Sequence, residues 1–177
     1  MSNVFFEDSR REFKWKHLGD IRIGRGGLGE EMPVLLYRLM QFTLVDVISS
    51  NFGLEKCNDI LRDAGFLAGT EFAKNALDTS LEFNPFVAHL QEQLKLLKVG
   101  ILRIEHFDST SGEIVMTVEE DLDCSGLPIT GETVCAYDEG FLAGVLMVYT
   151  NKKYEVREID CWATGERVCR FKGLPIS

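Results

Sequence analysis

The sequence is short of positive charge. It carries 19 Lys and Arg against 28 Asp and Glu, a formal net charge of −9. A nucleic-acid face needs clustered cations to replace condensed counterions, so no direct nucleic-acid partner is expected, and no polybasic membrane anchor either. Long apolar runs are also missing. The longest, around residues 140–149, falls far short of the roughly 20 residues that a membrane span requires. Residues 1–8 have neither a basic region nor a long apolar stretch, so no secretory leader is expected. No lipidation signal precedes the final Gly-Leu-Pro-Ile-Ser. The expected location is the cytoplasm, where thiols stay reduced. What the chain does have is core-forming material, 45% hydrophobic residues over 177 positions. A chain of that length buries roughly 70% of its unfolded surface without covalent staples. Its five cysteines are therefore free for other work, and their odd number cannot pair completely within one chain.

Residues 1–30 read as an extension with short strands, at 13–16 and 21–23, where apolar and polar residues alternate. Residues 31–177 read as the domain proper. Between them Gly24-Arg25-Gly26-Gly27-Leu28-Gly29 satisfies the letter of a GxGxxG motif. The dinucleotide fingerprint needs a strand before it and a helix starting inside it. Here Glu30 and Glu31 follow, whose charge repels phosphate, so the motif is read as a glycine loop.

Helical periodicity predicts helices over 33–52, 54–77, 84–98 and 133–149. Pro33 sits in a favoured first-turn position, Gly53 is a fitting C-cap, and Asn84-Pro85 is a good N-terminal pair. The first helix is apolar almost all round, which predicts burial on more than one side, one of them a subunit interface. Strands are predicted over 101–107, 113–119, 154–160 and 167–172. Helices first and hairpin-joined strands after imply an α+β fold with N-terminal helices packed on a mainly antiparallel sheet. A short echo, Ala64-Gly65-Phe66-Leu67-Ala68-Gly69 against Glu139-Gly140-Phe141-Leu142-Ala143-Gly144, places small residues on one face of each helix. Glycine inside a helix costs up to about 1 kcal/mol relative to alanine, so close packing is expected to offset it.

Cys57 reads as a small buried hydrophobe. The other cysteines, Cys124, Cys135, Cys161 and Cys169, fall in the last third of the chain. A hairpin centred on Gly165 makes Cys161 and Cys169 equidistant from the turn, with Cβ atoms about 5 Å apart. That spacing suits two thiolates on one zinc ion. Cys135 falls at the start of a helix, where a thiolate is stabilised. The fourth ligand is Glu158 or Cys124. Strict alternation puts Glu158 and Cys161 on opposite faces, so Glu158 requires a bulge between them. Buried free thiols are the competing reading. Thiol catalysis needs a partnered base, and no Cys–His pairing is visible.

The segments Cys124-Ser125-Gly126-Leu127-Pro128, Val134-Cys135-Ala136-Tyr137-Asp138-Glu139-Gly140-Phe141-Leu142-Ala143-Gly144 and Glu158-Ile159-Asp160-Cys161-Trp162-Ala163-Thr164-Gly165-Glu166-Arg167-Val168-Cys169-Arg170-Phe171 resemble the 4-vinyl reductase domain family, also described as hydrocarbon-binding proteins. That family includes sensory domains of phenol-responsive transcription activators. It is similar in fold to small subunits of the vesicle-tethering transport protein particle. The resemblance implies an often dimeric α+β fold with an apolar pocket beside a structural zinc ion. It places the metal on Cys135, Glu158, Cys161 and Cys169. It also places a phenol-binding histidine at His89, while the tryptophan expected on the next strand is replaced near His106 and Phe107. Phe86, His89, His106, Phe107, Tyr137, Phe141 and Trp162 are the candidate ligand residues.

The function this implies is a cytoplasmic binding or sensory domain for a small hydrophobic or aromatic ligand, working as a homodimer. Two alternatives stand beside it. One is a vinyl reductase-type enzyme or accessory factor in tetrapyrrole metabolism, which needs a hydride or electron source that the motifs do not provide. The other is a dimeric adaptor of the tethering type.

Overall fold

A computed structural model describes residues 12–176, which divide into two units between Glu31 and Met32. Asp20 decides the local structure of the first unit. Its carboxylate accepts the Ile23 N–H at 3.1 Å, the capping contact that starts a helix. Ile21–Gly24 accordingly winds into one turn, α1, and Trp15–Leu18 forms a 3-10 turn. The short strands expected at 13–16 and 21–23 are thus helical turns, because alternation over so few residues does not outweigh a cap. The glycine motif follows the carbonyl end of α1 and no strand leads into it among the described residues. That is the wrong end of a helical turn to meet phosphate.

In the second unit Pro33 stands just before helix α2 (Val34–Phe52), and Gly53, at φ +85°, turns the chain into α3 (Leu54–Ala76). The backbone angle there favours glycine. Within this chain α2 is covered along one face only: Tyr37, Gln41, Phe42, Val45 and Ile48 are half-buried, and no residue of the helix is fully buried. Leu35, Leu39, Val47 and Phe52 are each more than half exposed. Helix α4 (Phe83–Leu96) starts slightly earlier than predicted, after Glu82, which leaves Asn84 inside its first turn.

The sheet is wholly antiparallel, in the order β1 (Ile101–Phe107), β2 (Ile114–Glu119), β4 (Cys169–Pro175), β3 (Tyr154–Asp160). Tyr154, Val156 and Glu158 on β3 point to the core while Glu155, Arg157 and Ile159 face out. Phe86, Leu90 and Leu94 of α4 pack in the same core as Leu102, Met116 and Phe171 of the sheet. Helix α5 (Ala136–Thr150) packs on β3 and crosses α3.

That crossing explains the repeated glycines. A Cβ on Gly65 would collide with the Tyr137 carbonyl, and one on Gly69 with that of Phe141. From the other side, Gly140 faces the Arg62 carbonyl and Gly144 that of Phe66. The two helices meet backbone to backbone, so the helix propensity lost at glycine is offset by close packing.

Candidate functional site

Four segments deliver cysteines to one point. Cys135 is the N-cap residue of α5. Cys161 directly follows β3, Cys169 opens β4, and Cys124 lies in the loop after β2. All four side chains are essentially inaccessible. Their sulfurs lie within 4.8 Å of one another. Cys124 Sγ is 2.9 Å from Cys169 Sγ, and Cys135 Sγ is 3.9 Å from Cys161 Sγ and 3.8 Å from Cys169 Sγ.

Local structure fixes each position. The β3–β4 connection is not a tight hairpin centred on Gly165 but contains a 3-10 turn, Trp162–Thr164, ended by Gly165 at φ +105°. Thr164 Oγ1 accepts the Cys161 N–H at 3.0 Å. The Cys124 loop is held by Asp121, whose Oδ1 accepts the N–H groups of Asp123 at 2.8 Å and Cys124 at 3.1 Å. Arg38 of α2 donates to the carbonyls of Leu122 at 2.8 Å and Ser125 at 2.9 Å. Trp162 Nε1 donates to the Leu127 carbonyl at 3.1 Å, tying that loop to the 3-10 turn.

The bulge that the sequence argument required is present. Glu158 pairs with Phe171 and Asp160 with Arg170, so Ile159 is the extra residue. It lets Glu158 and Cys161 share a face. Glu158 Oε2 accepts the Cys135 N–H at 3.0 Å, which satisfies an otherwise free donor at the start of α5. The structure brings Cys135, Cys161 and Cys169 together. The fourth sulfur is that of Cys124, while Glu158 stands beside the cluster holding its backbone.

Electrostatics here are unusual. Hydrogen bonds from the thiols of Cys124, Cys135 and Cys169 draw Cys161 well below the ordinary thiol range. Cys135 is pushed far above it by the thiols of Cys124, Cys161 and Cys169, then by burial. With protons as their only partners, these groups favour one thiolate. A cation is what allows all four to ionise. Carboxylates crowd the same place. Burial, then the Cys161 charge, lifts Glu158 to about 8. Burial, then Asp123, lifts Asp121 to about 7. Burial also holds Asp123 and Asp138 above the carboxylate range. Tyr37 of α2 donates to Asp123 Oδ1 at 2.7 Å. Behind the cluster Glu139 accepts from Arg62 and Arg157 and from the Glu158 N–H.

Sequence reasoning missed these aspartates because acidic residues in a loop read as solvated charge. One signal was available: Asp138 lies three residues after Cys135, on the same face of α5. Cys57, buried with its sulfur 3.7 Å from the Val45 carbonyl, stands apart as a core residue.

The candidate ligand residues separate into two groups. Phe86 is buried and stacks on Tyr149, with ring centroids 3.9 Å apart. Phe107 is partly exposed and stacks on Phe83 at 4.2 Å. His89 is half-buried and its Nδ1 accepts the Asp78 N–H at 3.3 Å. His106 is exposed beside a bulge in β1. Away from these, Tyr137 and Phe141 lie along the α3–α5 crossing, Phe141 against Phe72. Trp162 lines an open cleft of about 700 Å³ with Arg38, Asp121 and Arg167. A second cleft of about 420 Å³, walled by Arg62, Glu139 and Arg157, contains none of the candidates.

Comparison with known proteins agrees with the fold. A family model described as the V4R domain matches residues 114–175. The chain is 30% identical over 145 residues to the uncharacterized protein MJ1642 of Methanocaldococcus jannaschii, spanning 82% of this chain and 79% of that protein. The phenol-responsive sensory domain of the transcription activator PoxR, solved with phenol, is similar with a TM-score of 0.61 at 19% identity, over 84% of this chain and 79% of that one. Trafficking protein particle complex subunit 3 of Naegleria fowleri, covalently bound to palmitic acid, gives a TM-score of 0.63 at 13% identity, over 81% of this chain and 95% of that one.

Proposed function

The chain belongs to the V4R domain family, and on that premise we propose that it is a binding domain for a small hydrophobic or aromatic molecule, built around a structural zinc ion. The observation that carries the metal is the convergence of Cys124, Cys135, Cys161 and Cys169. Zinc–thiolate bonds of about 2.3 Å set a tetrahedral sulfur–sulfur edge of about 3.8 Å. The Cys135–Cys161 and Cys135–Cys169 separations, 3.9 and 3.8 Å, match that edge, while Cys124–Cys169 at 2.9 Å is shorter and must open to admit the ion. Glu158 supports the site by orienting Cys135 through its backbone, a role outer groups commonly take around metals.

The ligand reading draws on the two fold relatives, one with phenol and one with palmitic acid. Phe86, His89 and Phe107 all come from α4 and β1, so that end of the helix–sheet interface is the proposed seat. Reduced buried thiols suit a cytoplasmic protein. The exposed apolar row of α2 supports a homodimer, since contiguous apolar surface of this kind marks interaction sites.

Purification without chelator, followed by elemental analysis and thiol titration, tests the metal. At least one zinc per chain is expected, with Cys124, Cys135, Cys161 and Cys169 reacting only after chelation. Thermal shift with phenol and with palmitate tests the ligand, and a flat response to both removes that reading.

A further inference from the structure

Beside the cysteine cluster lies a second set of converging donors. One carboxylate oxygen each from Asp121 and Asp138 and the Cys135 sulfur lie within 4.8 Å of one another. We propose that this set is a second cation position, taking a divalent transition-metal ion that shares the Cys135 thiolate with the first. The inference rests on the four-cysteine centre holding a metal, as proposed above.

Three observations support it. The donors are placed by structure that does not depend on solvent: Asp121 is fixed by two backbone N–H groups, and Asp138 projects from the first turn of α5. Second, two buried carboxylate oxygens in this neighbourhood accept no hydrogen bond, Asp138 Oδ2 and Glu158 Oε1. Glu158 is only 8% exposed and stands within electrostatic reach of Asp138. An unpartnered buried carboxylate oxygen is costly unless a cation or donor meets it. Third, the arginines around the centre are engaged elsewhere. Arg38 serves the loop carbonyls, and Arg62 and Arg157 converge on Glu139.

One divalent ion on four thiolates leaves the centre doubly negative before any carboxylate is counted. A second ion on two carboxylates and a shared thiolate reduces that excess. Two oxygens and one sulfur suit a borderline ion such as zinc, iron(II) or cobalt(II) better than calcium or magnesium.

The test is cobalt(II) titration of reduced, metal-stripped protein, followed by visible ligand-field and thiolate charge-transfer bands, with bound metal counted after gel filtration. Two equivalents are expected, the second altering the ligand-field bands. Asp121→Asn and Asp138→Asn should each lower the count to one while preserving the spectrum of the first equivalent. Asn at 121 keeps an oxygen for the two N–H groups, so that loop should stay folded. Saturation at one equivalent in the unmodified chain overturns the second position and leaves the four-cysteine reading standing. Two equivalents retained in both variants also overturn it. A titration with no thiolate charge-transfer band overturns both readings. Should a variant fail to fold, the count for the unmodified chain decides.

Discussion

Helices α2 and α5 are both apolar nearly all round, yet they end in opposite environments. Helix α5 buries Leu142, Ala143, Val145 and Leu146 along with Gly140 and Gly144. Helix α2 buries no residue fully and is covered along one face only. The difference is in how each can be approached. Glycines let α3 come against the α5 backbone, and Glu158 secures the Cys135 N–H at its start. Helix α2 has no glycine, and its described polar ties are directed side-chain bonds from Tyr37 and Arg38 to the 121–125 loop. Apolar composition alone therefore does not mark a helix as core. It marks surface that must be covered, whether by the same chain or by another.

The largest expected effect comes from loosening the buried start of α5. In protein stripped of metal by chelation, Glu158 titrates near 8 and Asp121 near 7, both far above the ordinary carboxylate range of about 4. Between those limits the two carboxylates hold protons that the unfolded chain has lost, while the Cys161 thiolate, drawn well below the thiol range, offsets one of them. Unfolding then releases a net proton, so stability falls as pH rises from about 4 to about 7 and levels off toward 8, by an amount on the order of a few kcal/mol. Melting temperatures of chelated protein should drop across that window, and Glu158→Gln should flatten the slope. A chelated protein whose stability rises with pH would contradict the placement of these carboxylates.

Next in size is the glycine seam. Gly140→Ala sets a methyl group against the Arg62 carbonyl, where backbone rather than a flexible side chain must move. Overpacking of this kind costs about 1–3 kcal/mol, and sometimes more; the helix propensity gained by alanine, up to about 1 kcal/mol, offsets part of it. Denaturant unfolding should show a net loss near 2 kcal/mol. No change would mean that the two helices do not meet so closely.

Much of this arrangement is legible in the amino-acid pattern. The periodicity of α3, α4 and α5 and the turn at 108–112 place the elements of an antiparallel α+β fold. The glycine echo announces a close crossing. Cys161 and Cys169 are paired by their distance from Gly165, although the hairpin connection contains a 3-10 turn rather than a tight turn at Gly165. Three things are hidden. The strands expected in the first unit give way to the Asp20 cap, since a side-chain contact decides so short a segment. Cys124 cannot be chosen over Glu158 by spacing, because its loop takes its path from Arg38, far away in sequence, and from hydrogen bonds to Asp121. The fate of α2 cannot be read because periodicity reports which residues are apolar, not which surface covers them.

That last point gives the prediction with the smallest effect on the fold. Leu39 on α2 is 58% exposed, so Leu39→Glu removes little packing within the chain, and surface changes of this kind usually stay within about 0.5 kcal/mol. The circular dichroism spectrum should be unchanged, and the denaturation midpoint should be unchanged at a protein concentration low enough to dissociate any dimer. If α2 pairs with a second copy, however, two glutamates enter an apolar interface. The burial of each charge then costs far more than the fold itself loses. Light scattering on a sizing column should report a dimer for the unmodified chain and a monomer for the variant. A monomer in both cases would assign the apolar face of α2 to a different partner, and the contrast with α5 would then describe a docking surface instead of half of a dimer.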